Sequence, residues 1–185
     1  MTALPSPSGA RLVARDAVFI AVGFGSGTLA AVAIAMVGAV GRQRGGEEAT
    51  WLHILILVTA MTVVAGVAAL RGSRPQFEWP LHTPAAVAVL GAACGALALA
   101  TARGLEWYYL LSGVISTGYF VLATWLLVRV SLALFFASTT LGTVFGSLVL
   151  DQLGAFGAPE HDLSPIRVMG AVLVAAGVVW IRTGK

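Results

Sequence analysis

Long apolar runs separated by short polar breaks dominate this chain. Five of them, Ala17–Val40, Trp51–Leu70, Thr83–Ala102, Trp107–Val128 and Ser131–Leu150, reach the length that crosses a hydrocarbon core. That core is about 30 Å thick and takes about 20 residues at ~1.5 Å each. A sixth run, Pro165–Ile181, is near the short limit. None alternates apolar with polar positions as the strands of a membrane barrel do. The pattern predicts helices.

One boundary needs arithmetic. Between Trp107 and Leu150 the only charge is Arg129, with neither Gly nor Pro beside it. A single helix over that stretch would run about 66 Å, about twice the membrane thickness. The chain must therefore turn near Arg129. The expected fold is all-α: a polytopic membrane protein of about six transmembrane helices, five if one N-terminal run lies differently. Residues 1–16 form a cytoplasmic N-terminal tail, and 17–182 form one helical membrane domain.

Composition agrees. The chain is 58% hydrophobic and 10% charged, where a soluble domain carries about 25% charged residues. It cannot make a wet surface. Its net charge of +3 comes from basic residues scattered singly between apolar runs, so no nucleic-acid partner is expected; the bilayer is. A lone Cys94 rules out a disulfide framework. Arg11 and Arg15 resemble the basic start of a signal peptide, but the 24 residues that follow from Ala17 exceed the ~7–15 of its apolar stretch. The first run reads as an anchor that stays.

Orientation follows from Lys and Arg near the spans. With the N-terminus inside, the cytoplasmic side holds Arg11, Arg15, Arg71, Arg74, Arg129, Arg182 and Lys185, and the other side Arg42, Arg44, Arg103 and Arg167. Seven against four places both termini in the cytoplasm, by a margin that leaves dual insertion open. Trp51, Trp79, Trp107, Tyr108, Tyr109 and Trp180 then fall at membrane interfaces, where amphipathic rings settle.

The polar insert between the last two runs, "LDQLGAFGAPEHDLSPIR", becomes an extracytoplasmic hairpin. Gly154 and Gly157 can end the fifth span through the left-handed conformation. Ser164 followed by Pro165 suits a helix N-cap and first residue. Asp151 faces the negative end of its helix dipole, and Arg167, at the same level across the loop, is the candidate to compensate it; the alternative is a part in substrate or proton traffic.

Three small-xxx-small pairs, Gly23/Gly27, Gly91/Gly95 and Gly142/Gly146, are candidates for close helix packing within the chain or for a dimer interface. Ser112, Ser116 and Tyr119 share one face of the fourth span, and Thr139 and Thr143 one face of the fifth. These hydroxyls are the candidate substrate path; interhelical hydrogen bonds account for them equally. No Asp or Glu lies deep in any span, which argues against coupling through a buried acid.

Catalysis finds no support. Ser26 lies about 21 Å from the outer end of the first span and His53 about 3–5 Å from that of the second, too far apart for nucleophile and base. No metal-ligand cluster, cofactor motif or phosphate loop is present, so no metal, cofactor or catalytic residue is assigned.

The C-terminal half carries a family resemblance. "WYYLLSGVISTGYFV", then "GTVFGSLVLDQLGAFG", then "LSPIRVMGAVLVAAGVV" resemble the YdcZ-like small permeases of the drug/metabolite transporter superfamily, over about residues 107–182. The Thr83–Gly95 run resembles an earlier helix of the family. The chain departs from that pattern in having no Asn, in Thr143 where a Gln is expected, and in Val128 and Ser131 where a Pro and a Gly are. The resemblance implies an inner-membrane permease for a small organic solute, acting as a homodimer or as a heterodimer with a related subunit. The alternative is a non-transporting membrane subunit that docks on or stabilises a partner membrane protein.

Overall fold

Helix ends in this chain are set by a few identifiable residues. The computed structural model describes residues 9–72, 81–162 and 164–183. Arg74, Trp79 and Lys185, used in the orientation and interface arguments, lie outside the described residues. So do residues 1–8 of the expected tail and the side chains of Arg11, Arg15 and Arg182.

Helix α1 runs over Gly9–Arg44, beginning eight residues before the apolar run. Ala, Leu, Val and Arg are tolerated in a helix, and polarity alone does not stop one outside the membrane. It ends at Gly45, whose φ of 101° and ψ of 151° suit glycine alone. That single residue connects α1 to α2, Gly46–Leu70, where the sequence suggests a polar loop of several residues. Helix α3, Pro84–Thr101, opens on Pro84 after Thr83, whose hydroxyl accepts the Ala86 N–H at 3.2 Å. This is the favoured N-terminal arrangement.

A 3-10 turn at Trp107–Leu110 leads into α4, Leu111–Leu127, and α5 occupies Leu132–Gln152. The turn between them falls at Arg129, as the length argument requires. It is made without Gly or Pro: Ser131 caps α5 by accepting the Leu134 N–H at 3.3 Å. Arg129 lies over the Trp125 ring, 4.2 Å from its centroid, a cation–π contact. Helix α6, Pro165–Thr183, is capped by Ser164 Oγ, which accepts the Arg167 N–H at 3.3 Å.

Among the described residues five helices are long and apolar enough to cross a membrane, and the apolar stretch of α6 is shorter. Among the described residues there is no strand. The fold is that of an all-α polytopic membrane protein. Large apolar side chains face outward: Val89 is 68% exposed, Leu173 66% and Trp180 79%. An apolar surface that extensive is compatible with lipid and not with water.

The chain divides into two compact units. One comprises 1–31, 119–149 and 162–185, the other 32–118 and 150–161, so α1, α4 and α5 pass from one to the other. The first unit is built on Ala123, Leu126 and Phe135, with Phe19, Tyr119 and Val130 against them. The second has a larger core that includes Met36, Leu52, Leu55, Ile56, Ala98 and Tyr109.

Candidate functional site

In the first unit, α1 and α5 cross with their backbones touching. Gly23 and Gly27 on α1 meet Ser138, Thr139 and Thr143, while Gly142 and Gly146 on α5 meet Phe24, Thr28 and Ala31. A Cβ at Gly27 would overlap the Thr139 carbonyl and lie 2.9 Å from the Thr143 nitrogen. Two hydrogen bonds answer each other across the crossing. Thr28 donates to the Gly142 carbonyl at 3.2 Å, and Thr143 to the Gly27 carbonyl at 3.2 Å. Glycine exposes those carbonyls, and the threonines use them. The Gly91/Gly95 pair in the second unit meets side chains instead: Gly91 abuts Thr62 and Gly95 abuts Thr59 of α2, and both hydroxyls donate to carbonyls of α2 itself.

The hydroxyl candidates take different surroundings. Thr139 is buried and donates to the Phe135 carbonyl of its own helix at 2.9 Å, and Thr143 also donates to Thr139 at 2.9 Å. Tyr119, half-buried, packs against the core of the first unit. Ser112 and Ser116 belong to the second unit. Ser112 is 4% exposed and lies 3.3 Å from His53 Nδ1. Ser116, one turn further along, is half-buried and has no hydrogen-bond partner among the described residues.

The serine beside His53 is therefore Ser112, on α4, and not the Ser26 weighed from the sequence. Both His53 and Ser112 lie toward the N-terminal ends of α2 and α4, and that shared level was the available signal. Their helices meet closely: a Cβ at Gly113 would lie 2.6 Å from the Leu57 nitrogen and 2.7 Å from the Ile56 Cβ. Thr117 donates to the Gly113 carbonyl at 2.9 Å and reaches the Leu57 carbonyl of α2 at 3.5 Å.

Polar contacts close one end of the second unit. Arg44 pairs with Glu48 at 2.8 Å and donates to the carbonyls of Thr101, at 2.6 Å, and Arg103. It thereby caps the C-terminal end of α3 with a cation, the sign the helix dipole favours. Gln43 donates to the Tyr109 hydroxyl at 3.1 Å. Arg42 donates to the Phe156 carbonyl at 3.1 Å.

Past α5 the chain takes three left-handed residues, Gly154 at φ 55°, Phe156 at φ 57° and Gly157 at φ 71°. Phe156 is the non-glycine among them, and its ring packs 6.3 Å from that of Tyr108. Asp151 accepts the His161 N–H at 3.0 Å through its backbone carbonyl and belongs to the second unit; Arg167 belongs to the first. No group of three His, Cys, Asp or Glu side chains among the described residues is placed to hold a metal.

Comparison with known families returns one described as "Putative inner membrane exporter, YdcZ", whose model matches residues 84–180. No curated protein and no solved structure matches significantly. The matched stretch is more than half of the 185 residues and runs from the first turn of α3 into the last turns of α6. With five membrane-length helices among the described residues and an outward apolar surface, the chain is a multi-pass inner-membrane protein of the transporter kind, and it belongs to the YdcZ family.

Proposed function

We propose that this transporter is a permease of the drug/metabolite type, moving a small organic solute unchanged across the cytoplasmic membrane. The observation that carries the proposal is the family match across α3–α6 on a chain of membrane-length helices. Both termini lie in the cytoplasm, as the distribution of Arg and Lys favours. The working form is a dimer, of two copies or with a related subunit, as the resemblance to a superfamily of paired helical halves implies.

The hydroxyl residues Ser112, Ser116, Tyr119, Thr139 and Thr143 are proposed as the solute-contacting set. Ser116, half-buried with an uncommitted hydroxyl, leads it. Asp151 and Arg167 are proposed to stabilise the α5–α6 hairpin.

The test is flux. Full-length protein in proteoliposomes is offered a panel of cationic, neutral and anionic organic solutes. One class is expected to cross and to stabilise the purified protein against heat, because a ligand that binds only the folded state raises its stability. Ser116→Leu and Thr143→Leu are expected to abolish that flux. Thr143→Val keeps the shape and removes the hydroxyl, which also donates to the Gly27 carbonyl, so its flux is read beside its unfolding stability: flux lost at unchanged stability assigns the hydroxyl to solute contact. No flux across the whole panel, together with stoichiometric co-purification of one partner protein, would refute transport. Orientation is checked by a cysteine at Gly157, expected to label only from outside.

A further inference from the structure

His53 is the one histidine within a membrane-length helix; His82 and His161 lie in connections. It stands two residues past Trp51, where the apolar run of α2 begins, about 3 Å into that run, and is half-buried. An ionisable side chain inside a span is costly and marks a functional site by default. Its partner is the hydroxyl of Ser112, 3.3 Å from Nδ1 and itself 4% exposed. One residue beyond Ser112, at Gly113, α4 touches the α2 backbone.

The titratable groups on the neighbouring turns are Glu47, Glu48, Arg44, Cys94 and Tyr109. Arg44 is tied to Glu48, the Tyr109 hydroxyl accepts from Gln43, and Cys94 is a thiol. Glu47 stands in the first turn of α2. None of these hydrogen-bonds or ion-pairs with His53 among the described residues.

The hydrogen-bond inventory of this pair makes it sensitive to a proton. In neutral imidazole one ring nitrogen accepts and the other donates, and in imidazolium both donate. In the neutral tautomer that carries its proton on Nε2, Ser112 donates its O–H to Nδ1. When a proton binds Nδ1, that nitrogen becomes the donor, and Ser112 must accept it and turn its own hydrogen to another acceptor. A positive charge then stands at the α2–α4 contact without a carboxylate beside it. The protonated form therefore favours an arrangement in which water reaches the imidazole. A proton that distinguishes two arrangements shifts the balance between them.

We propose that His53, oriented by Ser112, is the proton-binding site that couples this transporter to the proton gradient. The proposal rests on the transport function above and assigns its coupling ion. It places the coupling group on a histidine, where the sequence offers no deep carboxylate. Histidine is the one side chain whose unperturbed charge change falls between about pH 5 and 8.

Two arms test it, with the full chain in lipid. In the first, nitrogen-15 histidine spectra are recorded in nanodiscs between about pH 5 and 8, with His53→Gln assigning the resonance. His53 is expected to show an unprotonated, hydrogen-bonded Nδ1 at the alkaline end and to titrate within the range. Ser112→Ala is expected to redistribute its tautomers and shift its midpoint while leaving His82 and His161 unchanged. A His53 that never titrates, or that ignores Ser112→Ala, overturns the proposal. Titration as expected supports the proton-binding site even before a solute is known.

In the second arm, solute flux in proteoliposomes is compared with and without a pH gradient. Wild type is expected to accelerate with the gradient. His53→Gln, which keeps a hydrogen bond to Ser112 and cannot take up the proton, is expected to lose the acceleration and keep gradient-independent exchange. Unaltered gradient response in His53→Gln overturns the coupling role while leaving transport intact. A wild type that moves no solute refutes transport and coupling together, and the spectra then decide whether the proton-binding site survives.

Discussion

Gly25 and Gly27 are two residues apart on α1, yet they make a sharp test of how this bundle holds together. Gly27 faces α5, where an added Cβ would overlap the Thr139 carbonyl oxygen and lie 2.8 Å from its carbon and 2.9 Å from the Thr143 nitrogen. Gly25 has nothing within 4 Å of its own Cβ position. The atoms facing Gly27 are backbone, so no side chain can rotate out of the way. The helices must separate, by about 1.4 Å to restore ordinary contact, and a gap of ~0.5–1 Å already forfeits a quarter to a half of the dispersion well.

The same retreat stretches both Thr–carbonyl hydrogen bonds, now at 3.2 Å. Hydrogen bonds between membrane helices average about 0.6 kcal/mol, so the two together contribute about 1 kcal/mol. Overpacking costs about 1–3 kcal/mol. Replacing Gly by Ala within a helix returns about 1 kcal/mol through helix propensity, but it does so at both positions. The difference between Gly25→Ala and Gly27→Ala therefore isolates the crossing, at about 2–4 kcal/mol. Equilibrium unfolding by steric trapping in bicelles measures it. Equal stability of the two variants would refute the close α1–α5 crossing.

Three further outcomes follow from other contacts. A Cβ at Gly23 collides with the Ser138 side chain rather than with backbone, so Ser138→Gly should rescue Gly23→Ala in the same unfolding assay, whereas no side-chain truncation on α5 should rescue Gly27→Ala. Arg44→Met should cost about 1–2 kcal/mol, since it removes charged hydrogen bonds to the α3 end and a partly exposed ion pair of little worth alone; an effect within error would show that α3 needs no cap. Phe156→Ala should be less stable than Phe156→Gly by about 1 kcal/mol, because alanine keeps the left-handed strain that glycine escapes, and the reverse order would show that Phe156 is unstrained.

Much of the fold was written in run lengths. The apolar stretches locate the helices, and the turn at Arg129 follows because no membrane accommodates one helix across residues 107–150. Ser164 and Pro165 announce the start of α6. Where α1 stops is less legible. Residues 41–50 look like a loop because they are polar, yet Arg, Gln and Glu are good helix formers, and only the positive φ of Gly45 interrupts the helix.

The candidate site was legible in its residue types and not in its pairings. Small-xxx-small spacing marks a face on which backbones approach, but it carries no label for the partner. The Gly23/Gly27 and Gly142/Gly146 faces, on helices far apart in sequence, meet each other. Chain connectivity likewise makes α4 and α5 consecutive without fixing which sides they present. Thr143, on the same face of α5 as Thr139, turns its hydroxyl to α1, and Ser112 turns its own to α2.

Hydroxyls behave this way because lipid supplies no alternative partner. Ser116 apart, the Thr and Ser side chains named above inside the spans bond either their own preceding turn or a neighbour that brings an open carbonyl or ring nitrogen within reach. Glycine creates such openings by letting a helix approach. Polar side chains in this bundle therefore follow its glycines: Thr28 and Thr143 gather at the Gly27–Gly142 crossing, and the His53–Ser112 pair stands beside Gly113. Enlarging Gly113 to Ala should on that account move the His53 resonances along with the α2–α4 spacing. Histidine spectra of Gly113→Ala that match wild type would mean that the imidazole is placed by something other than the helix contact next to it.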